Sequence, residues 1–296
     1  MKKVIIVLGP TAVGKTKIGI ELAKRLNTEI ISGDSVQVYK GLDIGSAKVT
    51  ESEMCGIKHH LIDVLEPTET YSVADFQLSS RKLMEQLEIP LIVGGTGLYI
   101  NAAISNYEFD APKRDYSFEE QYSSYTNEEV YQLLMEKDCE TANNLHPNNR
   151  KRVLRALYAA SVAEPLSTKN NKNELLYDPY IIYLNLERSL LYERINNRVL
   201  QMIDEGLEKE VTTLYEMGIT PHAIGYQEWL PYFNNEITKE EVISEIQKNS
   251  RHLAKRQMTW FRNQMDTHFY EVNLNDINET IDLIYKDVLA FLGRWL

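Results

Sequence analysis

The sequence predicts an α/β fold: a P-loop-containing parallel sheet wrapped by helices, with a mainly helical inserted domain. Three observations predict it. Short apolar runs alternate with helical periodicity over the first hundred residues, as strand–helix–strand units require. A glycine-rich loop follows the first of those runs directly. After Ala103 the texture turns polar and rich in Tyr and Asn, with Asn143, Asn144, Asn148 and Asn149 clustered around Pro147, and strand-like sequence resumes only at Tyr180.

The candidate strands cover residues 4–8, 29–32, 60–65 and 90–93, with 180–186 as a later member. Between the first two, Ile18, Leu22, Ala23 and Leu26 recur at helical spacing and mark the apolar face of a helix. Ser72 followed three residues on by Asp75 is a capping pair that opens a helix through Leu87. The core domain is accordingly placed at residues 1–105 plus 178–296 and the helical insertion at 106–177, with everything from Ser189 on helical by period. Neither an internal repeat nor a low-complexity tract beyond the short Asn-rich patches occurs.

Composition limits the class. A chain of 296 residues that is 43% apolar can bury a sizeable core. Met1-Lys2-Lys3 runs straight into the first apolar stretch without a signal-peptide pattern, and no run approaches the roughly eighteen apolar residues of a membrane span. Two cysteines, Cys55 and Cys139, lack any C-x-x-C spacing, so neither a disulfide framework nor a zinc knuckle is indicated. A cytoplasmic location is expected. The net charge of −11 argues against a nucleic-acid partner on average, but two stretches run against it. Arg150, Lys151, Arg152 and Arg155 form one; Lys248, Arg251, Lys255, Arg256 and Arg262 form the other, with no acid between them. The plain alternative for each is a solvated helix face.

Gly9, Pro10, Thr11, Ala12, Val13, Gly14, Lys15 and Thr16 fit G-x-x-x-x-G-K-[ST] between a strand and a helix. Glycines let backbone N–H groups converge on phosphate oxygens, and the helix start adds partial positive charge. Lys15 is expected to reach the phosphate, and Thr16 to hold Mg²⁺. The motif specifies a diphosphate, and its commonest owner is a nucleotide-dependent kinase. Asp34 follows the second strand, at the sheet edge where doubly wound folds bind ligands, as general base, magnesium ligand or helix cap. Gly94-Gly95-Thr96-Gly97 is a second glycine-rich turn at that edge.

At this point the chain resembles a known family. The stretch 34–48, from Asp34-Ser35-Val36-Gln37 to Ser46-Ala47-Lys48, is similar to the signature of bacterial tRNA dimethylallyltransferases, also called tRNA isopentenyltransferases. Further matching blocks are Val93-Gly94-Gly95-Thr96-Gly97-Leu98-Tyr99, His146-Pro147-Asn148 with Arg152 and Arg155, Ala223-Ile224-Gly225-Tyr226, and the 255–262 stretch Lys255-Arg256-Gln257-Met258-Thr259-Trp260-Phe261-Arg262. They lie in family order over nearly the whole chain.

The resemblance implies transfer of the dimethylallyl group of dimethylallyl diphosphate to the N6 amine of the adenosine next to the anticodon. The loop 9–16 then holds the donor's diphosphate, Asp34 takes the amine proton, and Lys15, Thr16 with Mg²⁺, and Arg198 steady the leaving group. On spacing alone Arg198 reads as an exposed helix arginine. A stacked base is out of reach, so the adenine must be turned out of the anticodon loop. Its contacts, and those to the tRNA anticodon stem-loop, are implied at Asp34, Ser35, Val36, Gln37, Thr96, Lys151, Arg152, Arg155, Ile224, Gly225, Tyr226, Lys255 and Arg256. Lys151 stands where many relatives have Gln, Ala163-Glu164-Pro165 stands near a usual Gly-Lys-Pro, and no arginine near Phe118 matches one that some relatives turn toward tRNA. The competing readings are a small-molecule kinase, a prenyltransferase acting on free adenosine phosphates and a noncatalytic RNA-binding module. A monomer is expected.

Overall fold

The computed structural model describes residues 1–107, 116–162 and 174–294. The Ala163-Glu164-Pro165 stretch lies outside the described residues. Two units are present: Met1–Ser105 with Leu175–Leu296, and Asn106–Glu174. The second unit ends three residues before the position expected from sequence. Residues 175–177 belong to the first because Leu176 N–H donates to the Ile104 carbonyl (2.8 Å) and Tyr177 is buried in the sheet's core.

The first unit is built on a six-stranded sheet in the order β3-β2-β4-β1-β5-β6, parallel at every pairing. Its strands are β1 (Lys3–Leu8), β2 (Ile30–Gly33), β3 (His59–His60), β4 (Leu91–Gly94), β5 (Asp178–Asn185) and β6 (His268–Glu271). Strand β1 alternates cleanly, and each set of side chains feeds one layer. Ile5 and Val7 pack with α1 (Lys15–Leu26), Leu191 and Ile195 of a later helix and Ile281 near the C-terminus. Val4, Ile6 and Leu8 pack with Phe76 and Met84 and with Tyr99 and Ile100 on the opposite face. Those four side chains come from α3 (Val73–Gln86), which opens on the expected Ser72–Asp75 capping box, and α4 (Gly97–Ile104); α2 (Glu51–Met54) is a single turn before them.

The expected strand 60–65 shrinks to β3. Leu61 (φ 62°) and Asp63 (φ 53°) take left-handed backbone, which breaks a ladder. Val64 and Leu65 instead bond to Val38, and Leu65 accepts from Lys40 N–H, so this segment props up the loop after β2. Strand β6 also departs from an all-helical C-terminal part.

The second unit comprises α5 (Tyr116–Gln121), α6 (Asn127–Lys137), α7 (Cys139–Asn143) and α8 (Arg150–Val162) around Val130, Leu134, Val153, Leu154 and Leu157. The first unit continues with α9 (Arg188–Asp204), α10 (Leu207–Glu216), α11 (Leu230–Phe233), α12 (Lys239–Gln264) and α13 (Ile277–Leu292). A third apolar cluster away from the sheet joins Val199, Leu207, Val211 and Leu214 to Leu42, Tyr226, Trp229 and Val242.

Candidate active site

The loop 9–16 turns β1 into α1 and leaves the helix start open to an anion. Gly14 is the N-cap, no side chain caps the free N–H groups, and the first turn carries no acid. Arg194 Nε, from α9, donates to the Ala12 carbonyl (2.9 Å) and braces that residue in left-handed backbone at φ 64°. Lys15 folds back over the loop, its Nζ donating to the carbonyls of Gly9 (2.9 Å) and Pro10 (2.8 Å). Burial above all, then the Arg198 guanidinium, lowers the Lys15 pKa to about 7 against an opposing pull from Asp34. Thr16 is exposed beside it.

Asp34 sits just past the carboxyl end of β2. Its Oδ1 accepts from the backbone N–H groups of Val36 (2.8 Å) and Gln37 (3.2 Å), closing a turn through Ser35. No helix follows, so Asp34 caps only its own turn, and it does so with one oxygen: Oδ2 takes no hydrogen bond among the described residues. Asp34, Lys15, Thr16, Ser32, Gln37 and Gly95 line one crevice, with Ile30, Val49 and Ile62 on its apolar wall.

Arg198, on α9, is half-buried and donates from Nη2 to the Ala47 carbonyl (3.3 Å). The same carbonyl accepts from Gln37 Nε2 (3.2 Å), so an arginine with no local signal of function is tied to the crevice wall. Thr96 caps α4 by position without a side-chain bond. The glycines around it serve protein contacts as much as any ligand: a Cβ on Gly97 would lie 2.1 Å from the Trp260 ring, and one on Gly95 would lie 2.6 Å from Gln257 Nε2.

Gln257 was not singled out as a site residue by sequence, yet it joins both glycine turns. Its Oε1 accepts from Thr11 N–H and its Nε2 donates to the Gly95 carbonyl, both at 3.0 Å. His59 also lines the crevice, its Nδ1 against the Ile57 carbonyl (2.9 Å) and its pKa lowered by burial. His59 carries no sequence signal of its own, and Gln257 enters only as a member of the 255–262 block; the fold brings both there.

The other expected residues divide. Tyr226 is 2% exposed and its hydroxyl donates to Glu210 (2.8 Å), while Gly225 N–H donates to the buried Glu228 (2.9 Å). Both groups are thus engaged within the protein, and in the turn 223–226 Ala223 and Ile224 stay partly open. In the α12 stretch, Lys248 pairs with Glu245 (3.0 Å) and Arg251 bonds Asn196 (2.6 Å). Lys255 and Arg256 are exposed and line an open groove with His252, Thr259 and Trp260. In the second unit Lys151 and Arg152 are exposed on α8, and Arg155 is half-buried with Nη1 unpartnered among the described residues. Arg150 turns inward to Asn127 (3.2 Å) and the Tyr122 carbonyl, so it braces the helices instead.

A family model described as IPP transferase matches residues 37–264, and one described as isopentenyl transferase matches residues 2–69. The chain belongs to the IPP transferase family. It is 46% identical to a tRNA dimethylallyltransferase of Macrococcus caseolyticus over 98% of this chain and 96% of that one. A tRNA dimethylallyltransferase of Anoxybacillus flavithermus is 47% identical over 94% of this chain and 93% of its own. Among solved structures, the full-length tRNA isopentenylpyrophosphate transferase of Bacillus halodurans superposes with TM-score 0.76 at 41% identity, covering 99% and 97% of the two chains. A eukaryotic dimethylallyltransferase acting on tRNA gives 0.84 at 27% identity, covering 100% of this chain and 81% of that one. The IPP transferase match takes in β4, β5 and α12, while the loop 9–16 and Asp34 fall within the isopentenyl transferase match at residues 2–69.

Proposed function

We propose that this chain transfers the dimethylallyl group of dimethylallyl diphosphate to the N6 amine of the adenosine 3′ to the anticodon in tRNA, releasing diphosphate, as a monomer in the cytoplasm. The observation that carries the reading is that Lys15, Thr16 and Asp34 line one crevice. A diphosphate held by loop 9–16 then has a carboxylate within the same enclosure. The N6 lone pair attacks the donor's first carbon, the carbon–oxygen bond breaks with its electron pair leaving on diphosphate, and the N6 proton passes to Asp34. An amine conjugated with a purine is a poor nucleophile, so taking its proton as the new bond forms lowers the barrier.

Charge growing on the leaving oxygen is met by Lys15, the open N–H groups of α1 and Arg198. Oxygen donors suit Mg²⁺, and Thr16, Ser32 and Asp34 supply them in the crevice, while no cluster of three His, Cys, Asp or Glu side chains occurs among the described residues. Thr16 would hold the ion, which supplies charge neutralisation to the diphosphate when bound. Lys255 and Arg256 on α12, with Lys151, Arg152 and Arg155 on α8, are assigned to the RNA backbone. Among the described residues no helix is long and apolar enough to cross a membrane.

The test offers labelled dimethylallyl diphosphate with tRNA, with AMP and with neither, beside an assay of ATP consumption. Label entering tRNA alone is the expected result. Label in AMP, or ATP consumption without label transfer, overturns the assignment in favour of a free-nucleotide prenyltransferase or a kinase.

A further inference from the structure

Beyond Asp34 the chain runs through residues 35–48 without a helix, its single strand-like feature being an isolated bridge between Tyr39 and Leu65. Such a loop has no ladder of its own to fix it, yet its carbonyls at Ser46 and Ala47 accept from Gln37 Nε2 at 3.3 and 3.2 Å, and Ala47 also accepts from Arg198. Something must hold those carbonyls still.

One side chain does so from 165 residues away in sequence. Glu210, on α10, accepts with Oε2 from the N–H groups of Asp43 (3.2 Å) and Ile44 (2.8 Å), and with Oε1 from Gly45 N–H (3.1 Å). Three successive N–H groups converging on one carboxylate form an anion nest, here filled from within the protein. The fourth donor is the Tyr226 hydroxyl at 2.8 Å from Oε1. The Tyr226 ring lies so close over Gly45 that a Cβ there would come within 2.6 Å of it. Lys48, just beyond, is 5% exposed and closes the loop on Asp43 and Asp63. Together these contacts press the segment 43–48 onto the turn 223–226.

We propose that Glu210 is a positioning residue of the transfer reaction: through the nest at 43–45 it sets the Ala47 carbonyl, and thereby the side chains of Gln37 and Arg198 at the crevice. The inference rests on the proposed function and deepens it, since Glu210 touches neither substrate. Without the carboxylate, three N–H groups and a hydroxyl in a tight contact lose their acceptor. The segment then shifts, and a displacement of about 1 Å at a catalytic wall can cost on the order of a hundredfold in rate. The main part of the diphosphate grip, Lys15 and the N–H groups of loop 9–16 and α1, is built separately, so a displaced Arg198 weakens binding of the resting diphosphate less than it slows its departure.

The experiment compares Glu210→Ala, Glu210→Gln and Tyr226→Phe in the full chain, with steady-state kinetics for tRNA and donor, inorganic diphosphate affinity and thermal unfolding. For Glu210→Ala, kcat falls roughly ten- to a hundredfold at a temperature well below its Tm, with diphosphate affinity within about threefold of the parent. Glu210→Gln keeps one acceptor oxygen, enough for the Asp43 and Ile44 N–H groups, but turns an NH2 toward Gly45 N–H, so it recovers part of the lost rate and its kcat falls between those of Glu210→Ala and the parent. A Glu210→Ala protein with a lowered Tm but parental kcat would make the residue a structural staple and overturn the inference. Should that variant fail to fold, Tyr226→Phe decides: a kcat about threefold or more below the parent supports the clasp, and a parental kcat overturns it. An inactive parent would instead overturn the prenyl-transfer reading, so the two failures are told apart.

Discussion

Two loops meet at the crevice and are held in opposite ways. The loop 9–16 is eight residues between a strand and a helix, and most of what it needs lies within it: Lys15 bonds the carbonyls of Gly9 and Pro10, and the open N–H groups belong to the helix it starts. The loop 34–48 is nearly twice as long, has no regular structure and is fixed by side chains from α9, α10 and the turn 223–226. A phosphate grip can be local because its chemistry is backbone N–H and one ammonium. A wall that receives a base must be shaped by distant parts of the fold. Damage to the first should therefore abolish donor handling, and damage to the second should leave the donor bound but misaligned.

The largest expected effect is at the local loop. Lys15→Ala should lower kcat/KM for the donor by on the order of a thousandfold, in both KM and kcat, because the ammonium meets the diphosphate before and during its departure. Steady-state kinetics with saturating tRNA checks it. Turnover unchanged from the parent would remove loop 9–16 from the reaction.

The same contrast separates what the sequence made legible from what it did not. Loop 9–16, Asp34 and the Ser72–Asp75 cap were readable because each is a local pattern with a local purpose. Arg198 came only through family resemblance, since its own spacing reads as an exposed helix arginine. Gln257 is legible only as part of the 255–262 block and not as a site residue: its partners are 246 and 162 residues away, and a glutamine between Arg256 and Met258 on a helix has no period to betray it. Glu210 was hidden for the same reason. Strand β6 escaped because only Tyr270 of its four residues is buried, so it shows no alternation. The strand after residue 60 was overextended because nothing in Leu61 or Asp63 announces left-handed backbone. Tyr226 is named by resemblance alone, and no local pattern foretells that its ring is buried with its hydroxyl on Glu210.

A pH arm sharpens the account of the grip. Free Lys15 has a pKa lowered to about 7, by burial and by Arg198. A bound diphosphate favours the charged ammonium and raises that value, so the complex takes up a proton wherever the free protein has lost one. Affinity for inorganic diphosphate, measured in EDTA, should be insensitive to Lys15 below pH 7 and fall above it by about tenfold per unit relative to Lys15→Arg, whose charge is permanent. Calorimetry at pH 8 in two buffers of different ionisation enthalpy should register proton uptake. Identical pH profiles for parent and Lys15→Arg would contradict it.

A smaller effect is expected on the exposed face of α12, which serves neither loop directly. Replacing Lys255 and Arg256 by Gln should raise the apparent tRNA KM several-fold and reduce its salt dependence, as about two phosphate contacts are lost, while the donor KM stays near parental. An unchanged salt slope would return these residues to the status of a solvated helix face.

The joint claim, that the two loops form one reaction chamber with Asp34 as the base, is tested most directly by Asp34→Asn in single turnover with tRNA at two magnesium concentrations. The amide oxygen can still accept from Val36 and Gln37 N–H, so the turn and the fold should survive. With both substrates bound, the chemical step should fall by roughly a hundredfold to ten-thousandfold, and extra Mg²⁺ should not restore it. Recovery of the rate at high Mg²⁺ would make Asp34 a metal ligand, since weakened metal affinity is regained by mass action, and a rate within a few-fold of the parent would leave it only the cap of its own turn.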